Sequence, residues 1–427
     1  MRNIYLGDRG VLVQYLQLAL NRAGYPAQID GIFGQNTCKA LQEFKREHVV
    51  HGEVVGCYVD QAVWQELIPY LKGYVTHTIA NGDTIEQLAR RYGATQEAIL
   101  RANPMLQVYN LQLGVRVYIP LDYPLVSSEV AYTSILTDYI IEGLLVRYPF
   151  LETGSIGESV MEKNISYIRI GTGSTEVFYN AAFHANEWIT TPILLRFAEE
   201  YAQAYAQQGV IHGEYAFSLY ESYSLYLVPM VNPDGVDLVN GVLGNSRYEQ
   251  LTKVIAAEYP DIPYPDGWKA NIDGIDLNLQ FPAGWEQARQ IKFSQGYTMP
   301  APRDYVGEAP LTAIESVNVY EFTRAHDFRL IIAYHTQGEV IYWKYLDYEP
   351  EKSRQIAQYF SNVSGYAMEE TPTESGYAGY KDWFIQEYDR PGYTIEVGRG
   401  MNPLPMEQFE QIYEDNYYIL VGGMSQI

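Results

Sequence analysis

The sequence predicts an α/β protein in three parts: a large domain with a mostly parallel β-sheet and helices on both faces, preceded by a small helical domain and a small α+β domain. The chain has 427 residues, more than one hydrophobic core usually serves. From about residue 126 onward, short apolar runs alternate with helix-like stretches, a pattern typical of a sheet covered on both faces. Before residue 121, turn-forming residues separate two short modules. We place the domains at residues 1–72, 73–121 and 122–427.

The first module is predicted to be helical. Apolar residues recur at helical spacing between Val11 and Leu20, and residues 21–26 form a turn. A second turn around Gly31 precedes a capped helix over residues 37–44. The module contains these motifs in order: Gly7-x-x-Gly10-x-x-Val13, Leu16-Gln17, Gly24-Tyr25, Asp30-Gly31-x-Phe33-Gly34 and Thr37-x-x-Ala40-Leu41-x-x-Phe44. Their succession resembles the peptidoglycan-binding helical domain of cell-wall enzymes.

The second module is predicted to contain a strand, two helices and a returning strand. The strands cover residues 75–79 and 115–119, and Asp83 or Thr84 caps the first helix. The second helix begins after Thr95 and ends at Asn103-Pro104, because proline cannot continue it. The module carries these residues in order: Gly82-Asp83-Thr84, Ala89, Tyr92-Gly93, Ile99, Asn103-Pro104, Leu111, Gly114 and Ile119-Pro120. The pattern resembles a LysM domain, which implies binding of glycans that contain N-acetylglucosamine. An unrelated α+β spacer is the alternative.

Polar side chains follow the apolar strands of the large domain. Strands are predicted at residues 167–170, 177–183, 224–231, 330–334 and 393–397. His184 and Glu187 come after the second strand, His335 follows the fourth, and Glu396 lies within the fifth. If these strands are parallel neighbours, their carboxyl ends meet in one crevice. Two imidazoles and a carboxylate are a common set of zinc ligands, and a further carboxylate can take a proton from the attacking water. Each residue alone would also fit a structural role, but their conjunction favours a metal site.

Six motifs of the large domain extend this pattern. They are His184-x-x-Glu187, Val231-Asn232-Pro233-Asp234-Gly235, Gly274-Ile275-Asp276-Leu277-Asn278, Tyr334-His335-Thr336-Gln337, Asp382-Trp383 and Thr394-Ile395-Glu396. Together they resemble the zinc carboxypeptidase family, the carboxypeptidase A-like metallopeptidases, over about residues 126–427. The resemblance implies that family's fold and one Zn²⁺ ion held by His184, Glu187 and His335. It also implies that Glu396 is the general acid and base, and that Asp276 orients the first histidine.

Two positions depart from the family pattern. Directly after Asn278 the family has an arginine that, together with this asparagine, binds the terminal carboxylate of the substrate, but this chain has Leu279. The resemblance thus assigns Asn278 to substrate binding. Leucine cannot donate a hydrogen bond, which argues against ordinary trimming of a free C-terminal residue. Relatives also carry an arginine that polarises the scissile carbonyl where this chain has Asp273. Lys269 and Arg247 are the candidate substitutes.

Two further residues are assigned to the substrate on the same resemblance. Tyr377 matches the mobile substrate-binding tyrosine of the family. Lys381, directly before Asp382-Trp383, occupies a position that lines the specificity pocket, where a lysine favours an acidic group on the substrate. A surface lysine is the alternative.

Composition limits the possible partners and locations. The formal net charge of -23 argues against nucleic acid or an anionic membrane as a partner. The first residues lack the apolar region of a secretory signal, and no stretch approaches the roughly 18 apolar residues of a membrane helix. We therefore expect synthesis in the cytoplasm and association with the spore or cell wall. We interpret the two cysteines, Cys38 and Cys57, as small buried thiols, with a local disulfide as the alternative.

These observations predict a zinc metallopeptidase that hydrolyses the stem peptides of bacterial peptidoglycan. The combination of domains resembles the γ-D-glutamyl-L-diamino acid endopeptidases of spore-forming bacilli, which implies cleavage between γ-D-glutamate and meso-diaminopimelate. The glycan strands would bind to the two small domains and the stem peptide at the zinc site. A conventional metallocarboxypeptidase that releases C-terminal residues is one alternative. An inactive wall-binding structural protein is the other.

Overall fold

The computed structural model describes residues 1–48 and 56–427. The chain divides into two compact units, one of residues 1–131 with 138–151 and the other of residues 132–137 with 152–427. The three domain boundaries given above stay a prediction. In the described residues, no helix is long and apolar enough to cross a membrane.

The first unit is mainly helical. Its strands form two antiparallel pairs, β1 (Ile4–Tyr5) with β2 (Tyr58–Val59), and β3 (Tyr74–Thr78) with β4 (Arg116–Pro120). Its helices are α1 (Val11–Arg22), α2 (Gln35–Glu47), α3 (Gln61–Lys72), α4 (Ile85–Tyr92), α5 (Gln96–Ala102) and α6 (Ser134–Arg147), whose first turn belongs to the second unit.

Two details of the first module differ from the sequence prediction. The helix predicted from residue 37 begins earlier, at Gln35, and no side chain caps it. Thr37 cannot be the N-cap because it is the third residue of the helix, where its hydroxyl accepts a hydrogen bond from the buried Gln17 side chain at 3.1 Å. The prediction of two free thiols is also wrong, because Cys38 and Cys57 form a disulfide.

The second module has the predicted order of strand, helix, helix and strand. The Thr84 hydroxyl caps α4 by accepting from Gln87 N, and the Thr95 hydroxyl caps α5 by accepting from Ala98 N. Hydroxyl caps of this kind satisfy backbone N–H groups that have no partner within the helix. The prediction for this module is confirmed, with Thr84 rather than Asp83 as the cap.

The second unit is built on an eight-stranded mixed sheet with the strand order β13-β12-β14-β11-β7-β10-β6-β5. The pairs β7 with β10, β7 with β11, β11 with β14 and β12 with β13 are parallel, and the remaining pairs are antiparallel. The strands of this sheet are β5 (Glu152–Glu158), β6 (Asn164–Ile170), β7 (Thr175–Ala181), β10 (Tyr223–Val228), β11 (Phe328–His335), β12 (Val340–Tyr342), β13 (Ala367–Glu369) and β14 (Gly392–Glu396). Two further strands, β8 (Val210–Ile211) and β9 (Glu214–Tyr215), form a separate antiparallel pair.

Helices cover both faces of this sheet. Successive residues of a strand point to opposite faces, and on β7 the ring of Phe178 lies 5.4 Å from Phe322 while the Tyr179 hydroxyl donates to Leu420 O. The helices are α7 (Thr190–Ala206), α8 (Ala216–Ser222), α9 (Pro233–Val239), α10 (Arg247–Ala257), α11 (Trp285–Ser294), α12 (Ile314–Arg324), α13 (Ser353–Ser364), α14 (Tyr380–Tyr388) and α15 (Phe409–Ser425). The predicted α/β fold class is therefore confirmed.

The order of the central strands positions the site. Strands β14, β11 and β7 are parallel neighbours, so their carboxyl ends meet at one edge of the sheet. His335 is the last residue of β11 and lies in register with Glu396, the last residue of β14. His184 follows three residues after the end of β7. The crevice expected from the sequence thus forms where these three strands end.

Candidate metal centre and active site

A single turn after β7 positions His184 and Glu187. His184 is extended, and residues Ala185–Glu187 form a short 3-10 helix, so two side chains three positions apart point the same way. The Thr190 hydroxyl donates to Glu187 O at 2.7 Å and accepts from Ala182 N, which holds the turn against the end of the strand.

Three potential ligand side chains converge at this point. His184 Nδ1 lies 3.0 Å from Glu187 Oε1, His335 Nδ1 lies 3.0 Å from Glu187 Oε2, and the two Nδ1 atoms are 3.2 Å apart. In a tetrahedral zinc site with bonds of about 2.0–2.1 Å, neighbouring donor atoms are about 3.3 Å apart. The donor chemistry and the spacing therefore both fit a zinc ion.

Asp276 fixes the orientation of the first imidazole. His184 Nε2 lies 3.1 Å from Asp276 Oδ1, so a proton on Nε2 leaves the lone pair of Nδ1 facing the other two ligands. Burial lowers the pKa of His184, but the neighbouring carboxylates of Glu187 and Asp276 outweigh it and raise the pKa to about 9. Burial raises the pKa of Asp276, but His184 outweighs this effect and holds it well below its usual range.

Glu187 is held by several donors. The Lys269 ammonium lies 2.8 Å from Oε1, and Thr336 N donates to Oε2 at 3.2 Å. Burial raises the pKa of Glu187, but His184 and Lys269 outweigh this effect and hold it well below its usual range. The carboxylate therefore stays ionised, as a metal ligand must be.

Glu396 lies in the same cavity, outside the cluster of three potential ligands. Burial, with a smaller contribution from the nearby Glu187, raises the pKa of Glu396 to about 8, although Lys269 and His184 oppose the shift. A carboxyl group with a pKa near neutrality can both accept and donate a proton at the working pH.

The cavity above the centre has a volume of about 1170 Å³. It brings together most of the residues that the sequence singled out, and its walls include His184, His335, Glu396, Lys269, Asp276, Asn278, Leu279 and Lys381. Asn278 is placed by two hydrogen bonds: its N–H donates to Asp276 Oδ1, and its side-chain oxygen accepts from Tyr380 N.

Tyr377 and Arg247 lie elsewhere. Among the described residues, the cavity wall includes neither of them. The Tyr377 ring packs against an apolar cluster that contains Leu279 and Trp285. Arg247 is the exposed first residue of α10, and its guanidinium donates to the Tyr248 hydroxyl at 2.6 Å. Of the two proposed arginine substitutes, the fold therefore places only Lys269 at the centre.

Lys381 borders the cavity, but its charge is already paired. Its ammonium lies 2.5 Å from Asp382 Oδ1 and donates to Lys344 O at 2.7 Å. Both side chains of the ion pair are only 4% exposed. An acidic substrate group would have to compete with Asp382 for this lysine.

The charged residues of the cavity wall that the sequence analysis did not identify include a linked group of three, Lys292, Arg303 and Asp304. The Asp304 carboxylate accepts from the Lys292 ammonium and from Arg303 Nε, both at 2.5 Å. Asp304 N also donates to Asp276 Oδ2, at 3.1 Å. No recognised motif contains these residues, and their place depends on how the loop after α11 folds back onto Asp276. The only available signal was the adjacent charged pair Arg303-Asp304 in that loop.

Comparison with family models matches three parts of the chain. The zinc carboxypeptidase model matches residues 139–419, the LysM domain model residues 77–120, and the peptidoglycan binding domain model residues 9–50. The two shorter matches support peptidoglycan as a binding partner.

Two bacterial relatives cover most of the chain. Gamma-D-glutamyl-L-diamino acid endopeptidase 1 of Lysinibacillus sphaericus is 46% identical over 69% of this chain and 72% of its own. The uncharacterized protein YqgT of Bacillus subtilis is 39% identical over 69% of this chain and 77% of its own.

Solved structures share the fold at low identity. Thrombin activatable fibrinolysis inhibitor superposes with a TM-score of 0.56 at 16% identity, over 83% of this chain and 98% of its own. Carboxypeptidase A from Helicoverpa armigera superposes with a TM-score of 0.51 at 17% identity, over 91% of this chain and 94% of its own. The family match and the convergent cluster of two histidines and a glutamate identify Zn²⁺ as the cofactor. The chain belongs to the zinc carboxypeptidase family and is a zinc metallopeptidase.

Proposed function

We propose that this chain hydrolyses the bond between γ-D-glutamate and meso-diaminopimelate in the stem peptides of bacterial peptidoglycan. The observation that carries the proposal is the 46% identity to a protein named gamma-D-glutamyl-L-diamino acid endopeptidase 1. The LysM and peptidoglycan-binding matches in the same chain support the same substrate.

The ligands of the zinc ion in this proposal are His184, Glu187 and His335. Bound there, zinc supplies a Lewis acid for the scissile carbonyl and lowers the pKa of the attacking water. Glu396 takes the proton from that water and later gives it to the departing amine of the diamino acid. In this proposal the Lys269 ammonium, 2.8 Å from Glu187 Oε1, stabilises the negative charge that develops on the carbonyl oxygen.

The apolar Leu279 supports an endopeptidase over a carboxypeptidase. It is 7% exposed and packs with Trp285 and Val306, at the position where relatives carry a carboxylate-binding arginine. A leucine offers nothing to a terminal carboxylate, so a substrate chain can continue past the bond that is cleaved. The conventional carboxypeptidase would need another residue for that contact.

In this proposal the first two modules localise the enzyme on its substrate. We propose that they bind glycan strands of the cell wall or spore peptidoglycan while the stem peptide occupies the cavity. Tethering of this kind raises the effective concentration of substrate without altering the chemistry. Roles for the three domains at residues 1–72, 73–121 and 122–427 belong to the same proposal.

Mass spectrometry of defined muropeptides digested with the zinc-loaded protein tests the function. We expect product masses that correspond to cleavage between γ-D-glutamate and meso-diaminopimelate, with or without a free C-terminal carboxylate on the substrate. Release of single C-terminal residues, strictly dependent on that carboxylate, would support the carboxypeptidase instead. Binding to peptidoglycan without any hydrolysis would support the inactive structural protein.

A further inference from the structure

Among the described residues, the cavity wall contains four lysine or arginine side chains, each paired with a carboxylate, and three of them have little exposed surface. Lys269 pairs with Glu187, Lys292 with Asp304 and Lys381 with Asp382, and these three lysine side chains are 18%, 9% and 4% exposed. The fourth is Arg303, whose side chain is 42% exposed. It is therefore the cation of this wall that is most open to a ligand.

Arg303 also keeps most of its hydrogen-bonding capacity. Its contact with Asp304 uses Nε, and within residues 1–48 and 56–427 neither terminal guanidinium nitrogen has a hydrogen-bond partner. Two terminal nitrogens of one guanidinium match the two oxygens of a carboxylate.

The neighbouring acid does not cancel this charge. Burial raises the pKa of Asp304, but the cations Arg303 and Lys292 outweigh it, so the carboxylate is ionised. Asp304 shares its single negative charge between Lys292 and Arg303, both at 2.5 Å. The three side chains Lys292, Asp304 and Arg303 together carry one net positive charge, and the nearby Asp276 carboxylate is paired with His184.

The position of Arg303 is fixed relative to the metal centre. The preceding carbonyl, Pro302 O, accepts hydrogen bonds from Lys269 N at 2.8 Å and from Ala270 N at 3.0 Å. The following residue, Asp304, donates its N–H to Asp276, the carboxylate that orients His184. The backbone on either side of Arg303 is thus tied to residues of the metal centre, which fixes the point from which its side chain enters the cavity.

We propose that Arg303 binds a substrate carboxylate beside the scissile bond, one that need not be the terminal carboxylate for which the family has an arginine at the position of Leu279. The inference rests on the proposed function, which puts two such carboxylates near that bond. One is the free α-carboxylate of the γ-linked D-glutamate, and the other belongs to the diamino acid. Arg303 is thus a specificity-determining residue for an anionic substrate.

Steady-state kinetics of the zinc-loaded full chain test this role. The substrates are L-alanyl-γ-D-glutamyl-meso-diaminopimelate and two analogues, one amidated at the glutamate α-carboxyl and one at the carboxyl of the diamino acid next to the bond. We expect Arg303→Gln to raise KM for the acid substrate about 10- to 100-fold with a smaller effect on kcat, as for loss of a charge-assisted hydrogen bond. Arg303→Lys should recover part of the loss.

The amidated substrates identify the carboxylate. If Arg303 binds a given carboxylate, wild type and Arg303→Gln should have the same KM for the analogue in which that carboxylate is amidated. Their KM values should still differ for the other analogue. Arg324→Gln is the matched control, because Arg324 is a half-exposed arginine with an acidic partner, Glu321, on α12. Its KM should equal that of wild type.

Two results overturn the inference. An unchanged KM in Arg303→Gln on the acid substrate removes Arg303 from recognition. An equal rise in KM on the acid substrate and on both analogues shows a structural effect instead. If wild type leaves the bond between γ-D-glutamate and the diamino acid intact, the proposed function fails and this inference fails with it.

Discussion

The Lys269 ammonium lies 2.8 Å from Glu187 Oε1, so a cation is paired with a proposed zinc ligand inside the metal centre. Burial lowers the pKa of Lys269, but Glu187 outweighs it and raises the pKa above its ordinary value. Lys269 therefore stays charged beside the three proposed zinc ligands. In the proposed mechanism this cation stabilises the developing oxyanion, which a lysine on a distant surface could not do.

We expect Lys269→Gln to separate catalysis from metal binding. Loss of the cation removes stabilisation of the developing oxyanion, so kcat should fall by about 100- to 1000-fold. Without the Lys269 ammonium, no lysine competes with zinc for the lone pairs of Glu187, so zinc should bind at least as tightly as in wild type. Rates on a defined muropeptide and a zinc titration against a competing chelator measure the two effects.

Lys253→Gln is the matched control for this experiment. Lys253 also pairs with a glutamate, Glu249, at 2.7 Å, but it lies exposed on α10. Its kcat and zinc affinity should be those of wild type. An unchanged kcat in Lys269→Gln, with weaker zinc binding, would contradict the catalytic role.

Asp276→Asn should weaken zinc binding. Asp276 accepts from His184 Nε2 at 3.1 Å, and such partners of metal-bound imidazoles are commonly worth about 10- to 100-fold in metal affinity. The zinc dissociation constant is the quantity to measure, with Asp273→Asn as the control because Asp273 is exposed in the same loop. Equal zinc affinities in the two variants would show that the contact with His184 does not support the metal site.

Strand order explains why the centre could be predicted from the sequence. His184, His335 and Glu396 each lie at or just beyond the end of an apolar strand, and parallel neighbours bring such ends together. The central strands were predictable because they are buried on both faces and read as apolar runs. Strand β5 was missed because it is largely exposed and contains Gly154 and Gly157, so it has no apolar pattern.

Features that depend on loop packing could not be predicted. Arg303 reaches the cavity only because its loop folds back onto Asp276, and no spacing in the sequence encodes that contact. The disulfide between Cys38 and Cys57 requires two segments to pack at a Cα separation of 5.2 Å. Tyr377 was assigned by its match to a tyrosine of the family, which does not say whether its ring faces the cavity or the apolar cluster around Leu279.

Glu396→Gln should abolish hydrolysis and leave zinc bound. The amide cannot take a proton from the attacking water, so kcat should fall by at least about 100-fold, whereas the three proposed ligands are untouched. Zinc content by atomic absorption and hydrolysis of the muropeptide are the two measurements. Glu369→Gln, at an exposed position of β13, is the control. Turnover retained by Glu396→Gln would remove Glu396 from the proposed role.

The buried carboxyl group of Glu315 should make the free energy of unfolding depend on pH, independently of the metal centre. It is fully buried on α12 and accepts hydrogen bonds from Asn271 Nδ2 at 3.0 Å and Val160 N at 3.3 Å. Burial raises its pKa from 4.5 to about 7 in spite of these donors. Between these two values the folded state binds more protons than the unfolded state, so the free energy of unfolding falls as the pH rises.

We therefore expect Glu315→Gln to gain stability relative to wild type between pH 5 and pH 8, because only wild type must ionise a buried carboxyl. The gain corresponds to at most about 3 kcal/mol for the shift from 4.5 to about 7. Urea unfolding of both proteins at the two pH values measures it. Any constant cost of the amide cancels in this difference, and so do the other titrating groups. A difference in unfolding free energy that is the same at both pH values would show that Glu315 does not titrate in this range.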